Sequence, residues 1–128
     1  MIRLRLPWPP SVNRYWRHPT VGKLAGRHLI SEEGRTYRAD VTAAVYAQLR
    51  CQPKLDGRLA VHIDVHAPDK RARDLDNLPK GIQDSLGHAG VWRDDSQIDD
   101  LRVVRRETVR GGLVVVLIRQ LDSLEDAA

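Results

Sequence analysis

The segment from Lys70 to Lys80 constrains the fold of this chain most, because its cationic residues are followed by two aspartates and then by a helix start. Side chains of an extended segment alternate between two faces, which puts Asp74 and Asp76 on one face and directs Leu75 into the core. At about 4 Å and an effective dielectric constant of about 20, two carboxylates repel each other by roughly 4 kcal/mol. A fold tolerates such a pair when a cation lies between the carboxylates or when one of them is protonated.

A divalent metal ion is the cation that this pattern favours. A third carboxylate from Asp94 or Asp95 would complete an all-oxygen ligand set, which suits Mg²⁺ or Mn²⁺ better than zinc. Consecutive residues of an extended segment face opposite ways, so only one of these two aspartates can face the metal, and the spacing leaves both open. The neighbouring Lys70, Arg71 and Arg73 are the charges that a phosphodiester substrate needs.

Helix capping is the alternative explanation of the acidic motif. Asp76 or Asn77 has a side chain that can accept the free amide protons of a first helical turn. Capping leaves Asp74 and Lys80 unexplained. A lysine in a first turn opposes the helix dipole, so we expect Lys80 to reach the carboxylates or a phosphate; its structural alternative is an ion pair four residues away, with Asp76 or Asp84.

Hydrophobic periodicity predicts a single small α/β domain of the α+β type, with a mixed sheet of about four strands and two main helices. We expect the domain to span residues 1–120 and residues 121–128 to form a frayed acidic tail. The expected elements are a strand from Ile2 to Pro7, a helix from a Ser31 cap to Gln48 or Arg50, a strand from Arg58 to His66, a helix from Asn77 to His88, and a hairpin of Leu101 to Thr108 with Leu113 to Arg119, turned at Arg110 to Gly112.

Composition narrows the functional classes. The net charge is +4, and residues 1–30 contain six Lys or Arg and no acid, which points to a polyanionic partner. Cys51 is the only cysteine, so an internal disulfide and a zinc cluster of thiolates are excluded. No apolar run has the length of a signal peptide or a membrane span, and we therefore expect a cytoplasmic protein without a membrane partner.

Two further stretches have both a functional and a structural interpretation. The loop from Ser11 to His28 interleaves Tyr15, Trp16 and His18 with arginines, which suits stacking on unpaired or distorted bases, or it is an ordinary surface loop pinned by buried tryptophans. His62, Asp64 and His66 share one face of the strand predicted from Arg58 to His66. They are a weak candidate for a transition-metal site, since most polar strand faces are merely hydrated.

Four blocks of this sequence, in this order, resemble the RusA family of Holliday junction resolvases, and the similarity covers roughly residues 3 to 119. The blocks are Leu6-Pro7-Trp8-Pro9-Pro10-Ser11-Val12-Asn13-Arg14-Tyr15-Trp16-Arg17-His18; Arg73-Asp74-Leu75-Asp76-Asn77-Leu78 followed by Lys80; Gly90-Val91-Trp92 with Asp94-Asp95; and Leu101-Arg102-Val103-Val104. The chain departs from the family pattern at Pro79 and Gly81. Glycine weakens a helix by about 1 kcal/mol relative to alanine, which bears on the dimer packing that the family resemblance implies.

The resemblance implies a homodimeric endonuclease that resolves four-way DNA junctions by paired symmetric cuts and requires Mg²⁺, for which Mn²⁺ substitutes. By the same resemblance, the metal ligands are Asp74, Asp76 and Asp95, and the catalytic residues are these three with Lys80. The residues that we expect to bind DNA are Asn13, Arg14, Arg17, Lys70, Arg71 and Arg73.

Three alternatives remain open at this level. The first is a junction-binding or nucleic-acid-binding protein without catalysis, although carboxylates without a metal would repel phosphate. The second is a nuclease for other branched, flap or single-stranded DNA. The third is a structural protein whose acidic motif only caps a helix; it predicts that Asp74→Asn changes neither divalent-ion binding nor DNA cleavage.

Overall fold

The computed structural model of the protein describes residues 1–121, so most of the expected tail lies outside the described residues. The strands are β1 (Ile2–Leu6), β2 (Trp16–Arg17), β3 (Leu29–Ile30), β4 (Leu59–His66), β5 (Ile98–Arg105) and β6 (Leu113–Gln120). The helices are α1 (Val12–Tyr15), α2 (Glu32–Leu49) and α3 (Pro79–His88), and 3₁₀ turns form at Leu75–Asn77 and Asp95–Gln97. Among these helices, none is long and apolar enough to span a membrane.

Four strands form one mixed sheet in the order β1, β6, β4, β5. Strand β6 is antiparallel to both of its neighbours, and β4 is parallel to β5. Helix α3 connects the two parallel strands, as such a pair requires. The predicted fold, a small α+β domain with a mixed four-stranded sheet and two main helices, is confirmed, and β2 and β3 add a separate two-stranded ribbon.

The core lies between one face of the sheet and helices α2 and α3. Alternate residues of β4 are fully buried on this face, as the sequence predicts. Helix α2 contributes one apolar stripe, and α3 buries Leu78, Ile82 and Leu86 against it. The α2 stripe and the β4 residues of the core are Tyr37, Val41, Val45, Leu59, Val61, Ile63 and Val65.

Helix α2 begins where the sequence predicts, because Ser31 is its N-cap and accepts a hydrogen bond from the Gly34 amide at 2.9 Å. Helix α3 begins two residues later than predicted, at Pro79. The residues before it form the Leu75–Asn77 3₁₀ turn, since the extended backbone ends at Asp74. A first helical turn tolerates proline, because the N–H group that proline lacks would have no partner within the helix there.

The predicted hairpin of the last two strands is wrong. Strand β4 lies between β5 and β6, so these two strands are not neighbours. The connection after β5 instead crosses the end of β4, where the Arg106 and Val109 amides donate to the Val65 and Ala67 carbonyls. Strand β6 is central, as its apolar residues on both faces predict.

Candidate active site

Asp74 and Asp76 line one open hollow together with Arg73, Leu75 and Arg105. Both aspartates are exposed, and Leu75 packs against the core. The predicted shared face is therefore present, although it arises from a 3₁₀ turn after an extended Asp74 and not from one continuous extended segment. Within residues 1–121, neither carboxylate has a hydrogen bond or an ion pair, so both oxygen pairs are available to a ligand.

The capping interpretation of this motif is wrong. The N-cap of α3 is Leu78, and no side chain caps the helix. Asp74 precedes the 3₁₀ turn, but its side chain makes no capping hydrogen bond either. The two carboxylates thus lack the hydrogen bonds that a capping role would give them.

Arg73 is held at the edge of the hollow from three sides. Its Nη1 donates to Asp69 Oδ1 at 2.8 Å, and its guanidinium carbon lies 5.7 Å from the centre of a Trp8 ring. Arg105 donates to the Arg73 carbonyl and joins the end of β5 to this loop. Hydrogen bonds from Arg73 and then from Arg71 hold the pKa of Asp69 well below its usual range, so the loop is locked by a charged acceptor.

These anchoring residues were missed by the sequence analysis. Asp69 followed two residues later by Arg71 is a turn signal, because an aspartate can accept from a backbone amide two residues on, as it does here at 3.0 Å. Trp8 and Arg105 carried no local signal. They reach Arg73 only through the tertiary fold, Trp8 from the segment after β1 and Arg105 from the end of β5.

Lys80 lies exposed in the first turn of α3, directly after the acidic motif. It forms no ion pair with Asp76 or Asp84 among the described residues, so the predicted structural alternative is absent. Asp84 instead pairs with Arg38 of α2 at 2.6 Å. The Lys80 ammonium group is therefore available to a phosphate near the hollow.

A buried polar cluster fixes α3 beneath this lysine. Tyr15 is fully buried, and its hydroxyl donates to Asp84, which also accepts from Arg38 Nε at 2.8 Å. The Tyr15 ring lies against Gly81, where a Cβ atom would be 3.0 Å from the ring. The proposed stacking of Tyr15 on DNA bases is therefore wrong, and Gly81 is explained by this close approach.

The other predicted DNA-binding residues are exposed, and they lie in α1, in β2 and in the loop that precedes the acidic motif. Arg14 is 3.3 Å from Glu33, and Arg71 is 3.2 Å from Asp69, so both are paired within the chain. Asn13, Arg17 and Lys70 are exposed and have no side-chain partner in the described part of the chain.

Asp94 and Asp95 have different surroundings. The Asp94 side chain caps the 3₁₀ turn and accepts from the Ser96 amide, and hydrogen bonds from Ser96 lower its pKa. Asp95 accepts one hydrogen bond, from Trp92 Nε1 to Oδ1 at 2.8 Å. Its second oxygen has no partner among the described residues and can bind a metal ion. The Asp94 carboxylate, in contrast, already accepts hydrogen bonds from Ser96 in the turn.

Helix α3 separates Asp95 from the other two aspartates. Asp74 and Asp76 precede its first residue, whereas a Cβ atom on Gly87, near its last residue, would lie 3.4 Å from Asp95 Oδ1. Eight residues of helix rise by about 12 Å, too far for one metal ion to bind all three carboxylates. Accordingly, residues 1–121 of a single chain contain no group of three His, Cys, Asp or Glu side chains that could hold a metal.

The second predicted metal site, at His62, Asp64 and His66, is also not assembled. His62 Nε2 lies 2.8 Å from Asp64 Oδ1, which Arg106 Nε also contacts at 2.8 Å. Burial alone would raise the pKa of Asp64, but these two hydrogen bonds outweigh it and lower the pKa. His66 Nδ1 turns to the Glu107 carbonyl at 2.9 Å, so these residues form a surface ion-pair network.

Comparison with known proteins agrees with this arrangement of motifs. Residues 7–118 match the family model described as Endodeoxyribonuclease RusA. The chain is 42% identical over 119 residues to a crossover junction endodeoxyribonuclease of Enterobacteria phage HK97, covering 93% of this chain and 94% of that protein. It is 43% identical over 122 residues to the Shigella sonnei protein of that name, and 41% identical over 118 residues to the Escherichia coli K12 protein, covering 92% of this chain and 93% of each relative. Since both the family model and the relatives span nearly the whole described fold, including the Asp74 hollow and the Asp95 turn, the chain belongs to the RusA family of endodeoxyribonucleases.

Proposed function

We propose that this protein is a crossover junction endodeoxyribonuclease that resolves four-way DNA junctions by paired, symmetric phosphodiester cleavage. The observation that carries this proposal is the pair of carboxylates at Asp74 and Asp76, unpartnered within residues 1–121, in a hollow lined by Arg73 and Arg105, in a chain whose relatives bear that enzyme name. Two like-charged carboxylates that share a hollow favour a bound cation, and the neighbouring Arg73 and Arg105 favour a phosphate. A bound cation and a phosphodiester together satisfy both sets of charges.

The cofactor that we propose is Mg²⁺, with Mn²⁺ as a substitute. The donor set fits a hard cation, because both Asp74 and Asp76 offer free carboxylate oxygens and no nitrogen or sulfur side chain lines the same hollow except the arginines. A divalent ion in such a site supplies stabilisation of the negative charge that develops on the phosphate during hydrolysis.

The chain's own cations have separate roles in this proposal. Lys80 contacts the scissile phosphate or the charge that develops on it, because it is exposed in the helical turn that follows the acidic motif and has no partner among the described residues. Arg73 is fixed by Asp69 and Trp8, so it positions the DNA backbone without the loss of side-chain freedom that a mobile arginine incurs. Lys70 and Arg17 supply exposed charge, and Arg14, Arg71 and Asn13 complete the DNA-binding set.

The enzyme acts as a homodimer in which each site uses two chains. Within one chain, about 12 Å of helix α3 lies between the end that follows Asp74 and Asp76 and the end that contacts Asp95. A second copy can supply the missing carboxylate, so that Asp74 and Asp76 of one chain join Asp95 of the other. Two such sites related by a two-fold axis also match the two-fold pairing of cuts that junction resolution requires.

The test is incubation of the purified protein with a labelled synthetic four-way junction and with a matched linear duplex, in Mg²⁺ or EDTA. We expect paired nicks in the junction, no cleavage of the duplex, and no cleavage in EDTA. Asp76→Asn should bind the junction without cutting it. A flap and a single strand of the same sequence compete in parallel reactions.

Two outcomes would contradict the proposal. Tight junction binding without cleavage in either metal would identify a binding protein instead of an enzyme. Cleavage of the flap or the single strand in preference to the junction would identify a nuclease for other DNA structures.

A further inference from the structure

The two edge strands of the main sheet differ in whether their outer backbone groups have partners. At the β1 edge, Gln48 of α2 binds the backbone of Arg5, accepting from its amide and donating to its carbonyl, each at 2.8 Å. This side chain occupies the groups that another strand would need. At the β5 edge, nothing in the described part of the chain pairs with the outer side of the strand. An open edge strand is a template for pairing with a further strand.

The middle of β5 carries an unusual combination of exposed side chains. Leu101 is 43% exposed although it lies on the core face of the sheet, opposite Val61. On the other face, Asp100 and Arg102 are exposed and have no ion pair or hydrogen bond within residues 1–121. An apolar side chain and two unpaired opposite charges thus stand at consecutive positions on the free edge.

We propose that β5 is the homodimer interface, pairing antiparallel with β5 of a second copy about a two-fold axis at Leu101. Residues that lie opposite each other in paired strands point to the same face of the sheet. If the helices of both copies cover the same face, even-numbered residues of one β5 therefore lie opposite even-numbered residues of the other, and odd-numbered residues opposite odd-numbered ones. With Leu101 opposite the partner's Leu101, each Asp100 faces an Arg102. The next register that keeps both sets of helices on one face is shifted by two residues. It puts Asp100 opposite Asp100, or Arg102 opposite Arg102, and both arrangements are repulsive.

The same pairing brings the separated halves of the proposed active site together, and in this respect it rests on the proposed function. Asp95 lies in the turn just before β5, whereas Arg105, which lines the Asp74 and Asp76 hollow, is the last residue of the strand. In an antiparallel pair centred on Leu101, the start of one β5 lies beside the end of the other. Asp95 of one chain therefore approaches the hollow of the second chain on the same face of the sheet.

The regular part of the interface is short. The pairing of β5 with β4 shifts register between Ile98 and Asp100, leaving Asp99 as a bulge that Arg58 holds at 2.9 Å. Bulges disturb further pairing at an edge. The strand contact is therefore centred on Asp100 to Arg102, and the rest of the dimer contact comes from the loops at the two shared sites.

A cysteine at the proposed axis gives the most direct test. Directly opposed residues of antiparallel strands have Cα atoms about 4.5 to 5.5 Å apart, which a disulfide can span. In a Cys51→Ser background, which removes the only native cysteine, Leu101→Cys should form a covalent dimer on mild oxidation. Tyr46→Cys in the same background, an exposed position on α2, is the matched control and should not. Failure of Leu101→Cys to cross-link while the protein sediments as a dimer would overturn the proposal.

Charge exchange tests the register without a covalent bond. Asp100→Arg puts two arginines opposite each other, and Arg102→Asp does the same with two aspartates, so each variant alone should dimerise at least about tenfold more weakly. An equimolar mixture of the two should restore dimers, because both opposed pairs are then of opposite charge. Sedimentation analysis of each variant and of the mixture measures this. Wild-type dimerisation of both single variants, or no recovery in the mixture, would contradict the register.

These tests separate the interface from the proposed function. If Leu101→Cys cross-links and the charge exchange behaves as expected, but wild-type protein cuts no junction in Mg²⁺ or Mn²⁺, the interface stands and the nuclease proposal fails. If junctions are cut by a dimer that neither cross-links at Leu101 nor responds to the charge changes, the nuclease proposal stands and the interface lies elsewhere.

Discussion

At the scale of single residues, the free carboxylates at Asp74 and Asp76 distinguish a binding site from a structural motif. A structural carboxylate is satisfied by the protein, as Asp69 is by Arg71 and Arg73 and Asp84 is by Arg38 and Tyr15. Removing such a group exposes its partners and destabilises the fold. The two aspartates of the hollow have no partners within residues 1–121, so their replacement costs the fold nothing of this kind.

Asp76→Asn should therefore abolish function while leaving stability intact. We expect the free energy of unfolding of this variant to change by no more than about 0.5 kcal/mol, because a like-charge repulsion is removed and no contact is lost. Mn²⁺ binding, measured by calorimetry, should fall below detection, and junction cleavage should drop by about 100-fold or more. Asp40→Asn, an exposed carboxylate on α2, is the control and should behave as wild type. A large loss of stability in Asp76→Asn with unchanged Mn²⁺ binding would restore the structural interpretation.

Tyr15 offers a residue-level prediction on pH. Burial, and then the hydrogen bond to Asp84, raise the pKa of Tyr15 to about 12, against about 10 for an unfolded tyrosine. A raised pKa contributes stability that is fully present below about pH 10 and is lost as the pH rises through about 12. Tyr15→Phe should lower stability at neutral pH by about 1–2 kcal/mol and should lose less on going from about pH 9 to about pH 11.5.

Urea unfolding at the two pH values measures this difference. Burial also raises the pKa of Tyr37, so the variant keeps part of the alkaline loss. Tyr46→Phe, at a site that is 63% exposed, should reproduce the wild-type profile. An identical alkaline loss in Tyr15→Phe and wild type would show that the Tyr15 hydroxyl does not ionise in this range.

At the scale of elements, helix α3 links the buried Tyr15 cluster to Lys80. Gly81 follows the lysine, and the Tyr15 ring covers it so closely that a Cβ atom would be 3.0 Å away. Tyr15 has little room to move, because its hydroxyl is bound to Asp84 and Arg38. The position of the first helical turn is thus set by this contact.

Gly81→Ala should destabilise the protein even though alanine is the better helix former by about 1 kcal/mol. The contact with the Tyr15 ring should outweigh that gain, giving a net loss of about 1–3 kcal/mol. Because the first turn must shift, junction cleavage should fall more than junction binding. Gln83→Ala on the same helix, where the side chain is not fully buried, should change neither quantity appreciably. A rise in melting temperature for Gly81→Ala would show that the ring yields.

Element prediction succeeded where the signal is local. The alternation in β4 and the capped apolar stripe of α2 are properties of consecutive residues, and both elements lie within about a residue of the expected bounds. The partner of β5 is not a local property. Gly111 and Gly112 both have positive φ and do turn the chain, but the loop carries it across the end of β4, so a turn signal between two strands did not make them neighbours.

At the scale of the whole molecule, the shared position of Asp74 and Asp76 could be predicted from the sequence, but the position of Asp95 relative to them could not. Asp74 and Asp76 are two positions apart in the chain and line one hollow, as predicted. Asp95 was grouped with them by motif, and the length of α3 places it elsewhere in the same chain. A sequence motif groups residues without showing whether they belong to one copy or to two, whereas the path of the chain in the fold shows how far apart they lie in one copy.

Mixed dimers decide between one-chain and two-chain sites. In a dimer of one Asp95→Asn chain with one Asp76→Asn chain, a shared arrangement leaves one site with all three aspartates and damages the other twice. If each site is built within one chain, both sites of this dimer are damaged. Mixed dimers isolated by two different affinity tags should therefore nick four-way junctions at about half the wild-type rate if sites are shared.

The products carry a second signature. With one intact site, we expect nicks on one strand and few paired cuts, because the second strand has no working site opposite it. A mixed dimer of Asp74→Asn with Asp76→Asn is the matched control, since it damages both sites in either arrangement and should be inactive. Inactivity of the Asp95→Asn and Asp76→Asn combination, with dimers verified by sedimentation, would mean that the three aspartates do not meet across the interface.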